Sequence, residues 1–530
     1  MHHFSLPTTF WDIFTYVRPQ LLYILLISYI AWAFLMARQS PFPGPFLAKV
    51  SEMWMARFDM KGKRTSTIQS LHAKYGPVVQ IGPASLSFSS ANSLRDIFNH
   101  SPKLSRPRGD AEFLEQFGHV NMASTRCGDV HFQRRKAVAG AYAAPVVASP
   151  ACQAMMNELT DRFMENLQKG AQSDGWGDIW PQFRWLAADI MARLVYGDSS
   201  GLNLLGDEQG QREMMEDLLG SKLTEADVFT LGVLMSSWFP RVKRALERLA
   251  PGWFITTSTM HSWGRESTAR AVKAIGKTDG VVLAAKTLAD YLRLNGSSKA
   301  VPSIEYIQSD NLDNFQAGSL TTPDTLSWLV YELSLPQNHH RQVRLREELQ
   351  LAGIRPNTRK ELYDLNKLPY LDCLLRETLR RYPPIPGSLT RVVPAGGITV
   401  DGHFVPGNKM LVSAQPASVN MDNSVYDDPN DWNPERWDIP RNSPEHRKMQ
   451  RSFWPFGSGP RMCVGMNVAW AELRIVTARI FSTYETKLAQ DYFVRDEEGN
   501  EVLKKLNEDS ENDLFPAGWF EPIHLKEIVT

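Results

Sequence analysis

Apolar residues recur every three or four positions through most of this 530-residue chain, the spacing of helices that bury one face. One such stretch runs from Tyr370 to Arg381. Another begins at Met466 and continues through Val468, Ala469, Leu473, Ile475 and Val476. Two regions break the helical spacing. From Tyr75 to Ser90, Gly76-Pro77 and Gly82-Pro83 punctuate Val-Val-Gln-Ile and Ser-Leu-Ser-Phe, which predicts two short strands. Ile398 to Val400 and Lys409 to Val412, joined across Asp401-Gly402 and Pro406-Gly407, predict a second strand pair. Without an internal repeat, a low-complexity tract or a long polar linker, the chain reads as one large domain, mainly α with small β-sheets (α+β).

The longest apolar run lies near the N-terminus. Leu21 to Ala37 holds no charge over 17 residues, at the short end of what spans a bilayer as a helix. Trp11 and Tyr16 before it and Trp32 within it suit a membrane interface. Arg38, Lys49, Arg57, Lys61, Lys63 and Arg64 follow, against Arg18 before, so the positive-inside rule sets the large domain in the cytosol. A cleaved signal peptide is the competing reading, with Ala31-Trp-Ala33 as its cleavage site. The apolar run continues past that site through Phe34, Leu35 and Met36, which favours an anchor. Residues 1–37 are therefore expected to carry a transmembrane anchor helix at about 21–37. Residues 38–50, with Pro41-Phe-Pro43-Gly-Pro45, make a stiff hinge, and 51–530 the main domain.

Charge narrows the classes further. Lys and Arg total 58, matched by 58 Asp and Glu, so no basic face points to nucleic acid and no nucleic-acid partner is expected. Cys127, Cys152, Cys373 and Cys463 are widely scattered, which argues against a disulfide framework and for a reducing compartment. An aromatic-rich stretch, Phe229, Leu231, Leu234, Met235, Trp238 and Phe239, then Trp253 and Phe254, is compatible with a lipophilic substrate, although core packing explains most such stripes.

The sharpest chemistry lies in Phe456-Gly-Ser-Gly-Pro-Arg-Met-Cys-Val-Gly465. Gly457 and Gly459 allow a tight turn that presses backbone against a flat ligand, and Pro460 stiffens the path into Cys463. Helical spacing from Met466 puts Cys463 just before a helix N-terminus, where the dipole favours a thiolate. Arg461 adds a positive charge two residues away. A lone cysteine makes neither a zinc site nor an iron–sulfur site. An inert buried cysteine is the competing reading. Five specified residues at fixed spacing favour instead a cofactor that brings its other ligands, and haem with an axial cysteine is the known solution.

This segment resembles the haem-binding loop of the cytochrome P-450 family of haem-thiolate monooxygenases, Phe-x-x-Gly-x-Arg-x-Cys-x-Gly, with all five fixed positions filled: Phe456, Gly459, Arg461, Cys463 and Gly465. The resemblance implies the P-450 fold with an N-terminal transmembrane anchor and haem b ligated through Cys463 as the metal ligand. It also implies Arg461 on a haem propionate, and a hinge like that of endoplasmic-reticulum members. His131-Phe-Gln-Arg-Arg135 stands where the family has Trp-x-x-x-Arg, so His131 replaces the tryptophan; His131, Arg135 and Arg391 are implied propionate partners. Glu377-x-x-Arg380 and Arg436 are implied to form a buried ionic network that holds the haem loop. From hinge to cysteine loop the motifs keep the family's order, and the chain resembles fungal secondary-metabolism members.

Asn314-Phe-Gln-Ala317-Gly318-Ser-Leu320-Thr321-Thr322-Pro-Asp324 resembles the family's oxygen-activation helix. Ala317 and Gly318 would leave room for dioxygen, and Thr321 would guide protons to it. Leu320 stands in the acid's place. Pro323 removes a helical N–H and frees the Ser319 carbonyl; the expectation is a polar groove in which water held by that carbonyl, Thr321 and Asp324 replaces the carboxylate. A helix break at Thr322 or Pro323 is the competing expectation. The implied activity is insertion of one oxygen atom into a lipophilic small molecule, such as a terpenoid or polyketide, at the endoplasmic-reticulum membrane. Electrons would come from NADPH through a cytochrome reductase. A haem-thiolate isomerase or dehydratase, needing no external electrons, would tolerate Leu320; a haem sensor would need none of Ala317, Gly318 and Thr321.

Overall fold

The structure, a computed structural model, describes residues 19–100, 104–112, 114–174, 179–197, 201–206, 209, 212, 259–273, 303–356, 358–407, 409–488, 493–495, 501–503 and 523–527. Trp11, Tyr16 and the aromatic stretch from Phe229 to Phe254 lie outside these residues. Helices dominate the described chain. Among the longer ones are α1 (Pro19–Gln39), α2 (Gly128–Ala139), α3 (Pro150–Asp174), α4 (Ile179–Tyr196), α5 (Thr259–Lys273), α6 (Ile304–Ser334), α7 (Pro369–Arg381) and α8 (Met466–Thr483).

The main core forms around α4 and α6. Phe183, Leu186 and Ile190 on α4 and Leu312, Phe315 and Leu326 on α6 are all buried in it, together with Leu374 and Leu375 of α7 and Ile475 and Val476 of α8. The two central helices run antiparallel: Met191 lies against Gly318 and Arg184 against Asp324. Although Pro323 sits inside α6, the helix does not break there. Hydroxyls on both sides bond back into its ladder: Ser319 to the Phe315 carbonyl at 2.7 Å, Thr321 to Ala317 at 2.8 Å and Ser327 to Pro323 at 2.8 Å. Such side chains satisfy carbonyls that a proline or a helix bend leaves loose.

The first strand expectation holds. β1 (Val78–Gly82) and β2 (Ser85–Phe88) form an antiparallel pair. The second is differently made. β3 (Leu389–Val392) precedes β4 (Ile398–Val400), which pairs with β5 (His403–Val405) across Asp401 (φ 49°) and Gly402 (φ 81°). That is a two-residue turn with both central residues left-handed, the twist a tight hairpin prefers. The segment expected to be its partner is β6 (Leu411–Ala414), which runs parallel to β2 and antiparallel to β3 in a sheet of order β1-β2-β6-β3. Burial explains the swap, because Val412, Ser413 and Ala414 are covered as a central strand requires, whereas His403 and Phe404 stay exposed on the hairpin. At the C-terminus β7 (Tyr484–Leu488) pairs with β10 (Ile523–Glu527), and β8 (Phe493–Arg495) with β9 (Glu501–Leu503).

At the N-terminus α1 covers the apolar run, and its Tyr23, Ile24, Leu25, Leu26, Ile27 and Trp32 are exposed. Among the described residues, no helix is long and apolar enough to cross a membrane, so the expected transmembrane anchor is not shown. The proline segment that follows docks on the sheet, with Gln80 N donating to the Pro43 carbonyl at 2.7 Å.

Candidate active site

The cysteine loop is held open by its glycines and closed by its backbone. Gly457 and Gly459 both take φ 68°, a left-handed conformation that other residues adopt only with strain. A Cβ on Gly459 would stand 2.1 Å from the Phe98 carbonyl oxygen, so no side chain fits there. Cys463 N donates to the Phe456 carbonyl at 2.8 Å and Met462 N to Gly459 at 3.0 Å, which turns the loop back on itself. Phe456 packs at 5.9 Å from the Trp470 ring of α8. α8 begins three residues after Cys463, as the spacing predicts. Cys463 is exposed, yet surrounding protein raises its thiol pKa, while the Gly465 N–H and Arg135 act to lower it. Exposure and desolvation together place its sulfur in the wall of an internal hollow.

Beneath the loop lies the expected ionic knot. Arg380 on α7 donates twice to Glu377, at 2.9 and 2.7 Å, and Arg436 donates to the same carboxylate at 3.1 Å. Asn433 N and Trp437 Nε1 complete its shell at 2.9 Å each. The remaining Arg380 donors reach the carbonyls of Asn420, Pro429 and Asp431. Asn420 in turn accepts from Trp454 N at the start of the cysteine loop, at 3.2 Å. The knot therefore supports the loop directly, as the resemblance implied.

The implied propionate partners gather on the other flank, each with its own wiring. Arg461 donates to the Thr125 and Arg126 carbonyls at 2.7 and 2.9 Å, leaving Nη1 buried without a partner among the described residues. Arg135 gives Nη1 to the Met462 carbonyl at 2.5 Å, so it steadies the backbone beside Cys463. Arg391 bonds the Thr390 carbonyl and lies 4.9 Å over the Phe98 ring. His131 is buried, and its Nδ1 has no partner among the described residues. Arg106, which sequence reasoning missed, joins them; a Ser-Arg-Pro stretch in a loop carries no signal. Burial, then Arg106 and Arg461, pulls Arg391 down to about 9. Burial and Arg106 do the same to Arg461, to about 9. Burial, then Arg461, Arg135, Arg106 and Arg391, drives His131 to about 3. Several buried cations that repel one another, with orphaned N–H groups, fit a bound dianion. The two carboxylates of haem b are such a pair, and the exposed thiol supplies the iron ligand.

α6 presents Ala317 to the hollow. Past its first turn this helix has no other exposed residue, and Asp313, Gln316, Leu320 and Thr321 on the same face are half-buried. Gly318 does not share that opening. A Cβ there would meet Met191 Sδ at 2.4 Å, so the glycine lets α4 approach α6, and the room expected beside the haem belongs to Ala317 alone. Asp324 also departs from expectation. It is buried and faces Arg184 of α4 at 3.6 Å, and burial raises it to about 6 with Arg184 opposing. Its carboxylate is thus engaged with the neighbouring helix instead of joining Thr321. Tyr142 bridges the two walls, donating to Asn314 Oδ1 at 2.7 Å while its carbonyl accepts from Asn467 of α8 at 2.8 Å.

Comparison with known proteins agrees with this arrangement. The sequence model of the family described as Cytochrome P450 matches residues 41–509. The chain is 28% identical over 458 residues to the cytochrome P450 monooxygenase BOA3 of Botryotinia fuckeliana, covering 84% of this chain and 85% of that protein. It is 27% identical to the cytochrome P450 monooxygenase FGM1 of Gibberella zeae, covering 84% and 86%. It is also 27% identical to the tryprostatin B 6-hydroxylase of Aspergillus fumigatus, covering 84% and 75%. With a cysteine loop, an ionic knot and a cationic flank arranged around one hollow, and a family match over most of its length, the chain belongs to the cytochrome P450 family of oxygen-incorporating oxidoreductases.

Proposed function

We propose that this monooxygenase inserts one oxygen atom from dioxygen into a lipophilic secondary metabolite, on electrons passed from NADPH by a cytochrome reductase. The observation that carries the reading is that Cys463 and Ala317 are both exposed in segments whose neighbouring residues are buried or half-buried. Haem b held by Cys463 supplies the iron chemistry that cleaves dioxygen. The chain supplies the rest. The Gly465 N–H and Arg135 favour the thiolate, and Arg106, Arg391, Arg461 and His131 offer charge and N–H groups to the propionates. Thr321, whose hydroxyl rests on the Ala317 carbonyl, is placed to hand a proton into the hollow. The similarity to fungal monooxygenases, one named for hydroxylating tryprostatin B, supports a metabolite substrate.

The reading extends to location. The exposed apolar surface of α1, followed by Arg38 and Lys49, supports seating on the cytosolic face of the endoplasmic-reticulum membrane. An anaerobic spectrum under carbon monoxide tests the core of the proposal, reducing the protein first with NADPH and a microsomal reductase, then with dithionite. A thiolate-type band already present with NADPH, and absent from Cys463→Ser, is the expected result. A band seen only with dithionite would instead favour an isomerase or dehydratase that takes no electrons, and no thiolate band would overturn the role of Cys463.

A further inference from the structure

Where α6 and α7 end, an aromatic pair stands outside the site already described. Trp328 follows Thr321 on α6 by seven residues, two turns further along the same face and about 10 Å along the axis. Its ring stacks on that of Tyr382, the residue after α7, at 4.0 Å between centroids and 1° between planes. The Tyr382 hydroxyl donates to Glu332 Oε1, one turn beyond Trp328 on α6. Asn338 Nδ2 holds the other oxygen, Glu332 Oε2, at 3.1 Å. Tyr382 is half-buried and so open in part to solvent.

Indole and phenol are the side-chain rings most easily stripped of an electron, and a face-to-face stack couples them. Arg381 lies 4.8 Å over the Tyr382 ring, and a cation there opposes a positively charged ring. Oxidised Tyr382 is therefore favoured only as the neutral phenoxyl, which needs an acceptor for its proton. Glu332, already bonded to that O–H, is the acceptor. Burial raises its carboxyl to about 7 and Asp431 adds to this, while Tyr382, Arg381 and Arg341 oppose. Tyr331 is the other titratable group beside it. A carboxyl close to balance between its two states both takes a proton and returns it.

We propose that Trp328, Tyr382 and Glu332 form a redox relay that drains oxidising equivalents from haem bound at Cys463 when no substrate takes them. One electron passes from the Tyr382 ring through Trp328 to the oxidised haem, which falls by one equivalent. The phenol O–H bond breaks, its proton goes to the Glu332 carboxylate, and a neutral tyrosyl radical remains. A one-electron reductant in solution, such as ascorbate, then returns the electron, and Glu332 returns the proton. The relay rests on haem at Cys463 but not on the source of electrons for turnover, so hydrogen peroxide tests it without NADPH or a reductase.

The haem-loaded full-length chain, free of substrate, would be mixed with hydrogen peroxide at a pH above about 7, where Glu332 is ionised, and frozen for electron paramagnetic resonance. Bleaching of the haem band would be followed in parallel. The wild type should give a tyrosyl radical, whose yield falls as pH drops through about 7. Tyr382→Phe keeps the stack but should lose the radical and bleach faster. Trp328→Phe should lower the radical yield with Tyr382 still in place, and Glu332→Gln should lose the neutral radical. Tyr370 donates to Glu435 at 2.8 Å with no aromatic ring stacked on it among the described residues, so Tyr370→Phe should keep the signal. An intact thiolate carbonyl band identifies correctly folded variants. No tyrosyl radical in the wild type, or one unchanged in Tyr382→Phe, would overturn the relay, as would bleaching at the wild-type rate in both Tyr382→Phe and Trp328→Phe. Loss of NADPH-dependent oxidation with the radical retained would sink the monooxygenase reading and leave the relay standing.

Discussion

The two walls of the hollow are built on opposite principles. On the cysteine side the ionic knot under the loop is tied in place: Glu377 alone receives bonds from Arg380, Arg436, Asn433 and Trp437. On the α6 side the row facing the hollow keeps polar groups that have no side-chain partner among the described residues, the Asp313 carboxyl and the Gln316 amide N–H groups, and only a methyl at Ala317. A ligand atom that must hold one metal geometry benefits from a support with a single low-energy arrangement. A surface that meets changing molecules has to leave groups unsatisfied until one arrives.

The largest effect should come from cutting the tied side. Glu377→Ala leaves two buried arginines without their carboxylate, and breaking one partner of such a buried network costs roughly 3–5 kcal/mol. Chemical denaturation should show a loss of that size, and haem uptake should fall with it because Asn420 transmits the knot to Trp454. Wild-type stability in this variant would mean that the loop does not depend on the knot.

Two glycines give a direct comparison between the walls. Gly459→Ala meets a fixed backbone carbonyl at φ 68° and should cost about 2–4 kcal/mol, from left-handed strain and from overpacking together. Gly318→Ala meets a methionine side chain, which has several rotatable bonds to move aside. Its cost should be about 1 kcal/mol, the lower end for overpacking a core. Thermal unfolding of both variants checks the order. The reverse order would show the cysteine loop to be the softer wall.

That contrast also accounts for what was legible in the sequence. The cysteine wall depends on local spacing: Phe456 to Gly465 is one continuous loop, and Glu377 and Arg380 lie one helical turn apart, so their geometry follows from their order. The chemistry of α6 depends on which neighbour packs against it. Gly318 reads as space for a ligand until Met191 fills that space, and Asp324 reads as free until Arg184 faces it. Both partners belong to α4, more than 120 residues away in the chain, and no local pattern announces them. The same holds for β6, whose alternation fits a hairpin with β4 as well as the place beside β2 that burial selects. Asp313 was within reach of sequence reasoning, since it stands four residues before Ala317, but the rise of its carboxyl to about 8 comes from burial and from Asp310.

Glu472 tests whether the cysteine wall is tied throughout. It lies on α8, is 1% exposed, and its Oε1 has no partner among the described residues. Burial alone raises its carboxyl from 4.5 to about 8. The folded protein then keeps a proton that the unfolded chain releases, so the stabilising contribution is complete below the ordinary glutamate range and is lost as pH rises toward about 8. Each such group sets a slope of up to about 1.4 kcal/mol per pH unit across that window. Glu472→Gln removes the proton without removing the shape, and its unfolding free energy should decline less than that of the wild type as pH rises. Asp313→Asn should flatten the same curve from the other wall, and the two changes should add, because the carboxyls sit on different helices without a shared partner. Parallel curves for Glu472→Gln and the wild type would mean that Glu472 is ionised and paired in solution, and that the cysteine wall is as fully satisfied as its ionic knot.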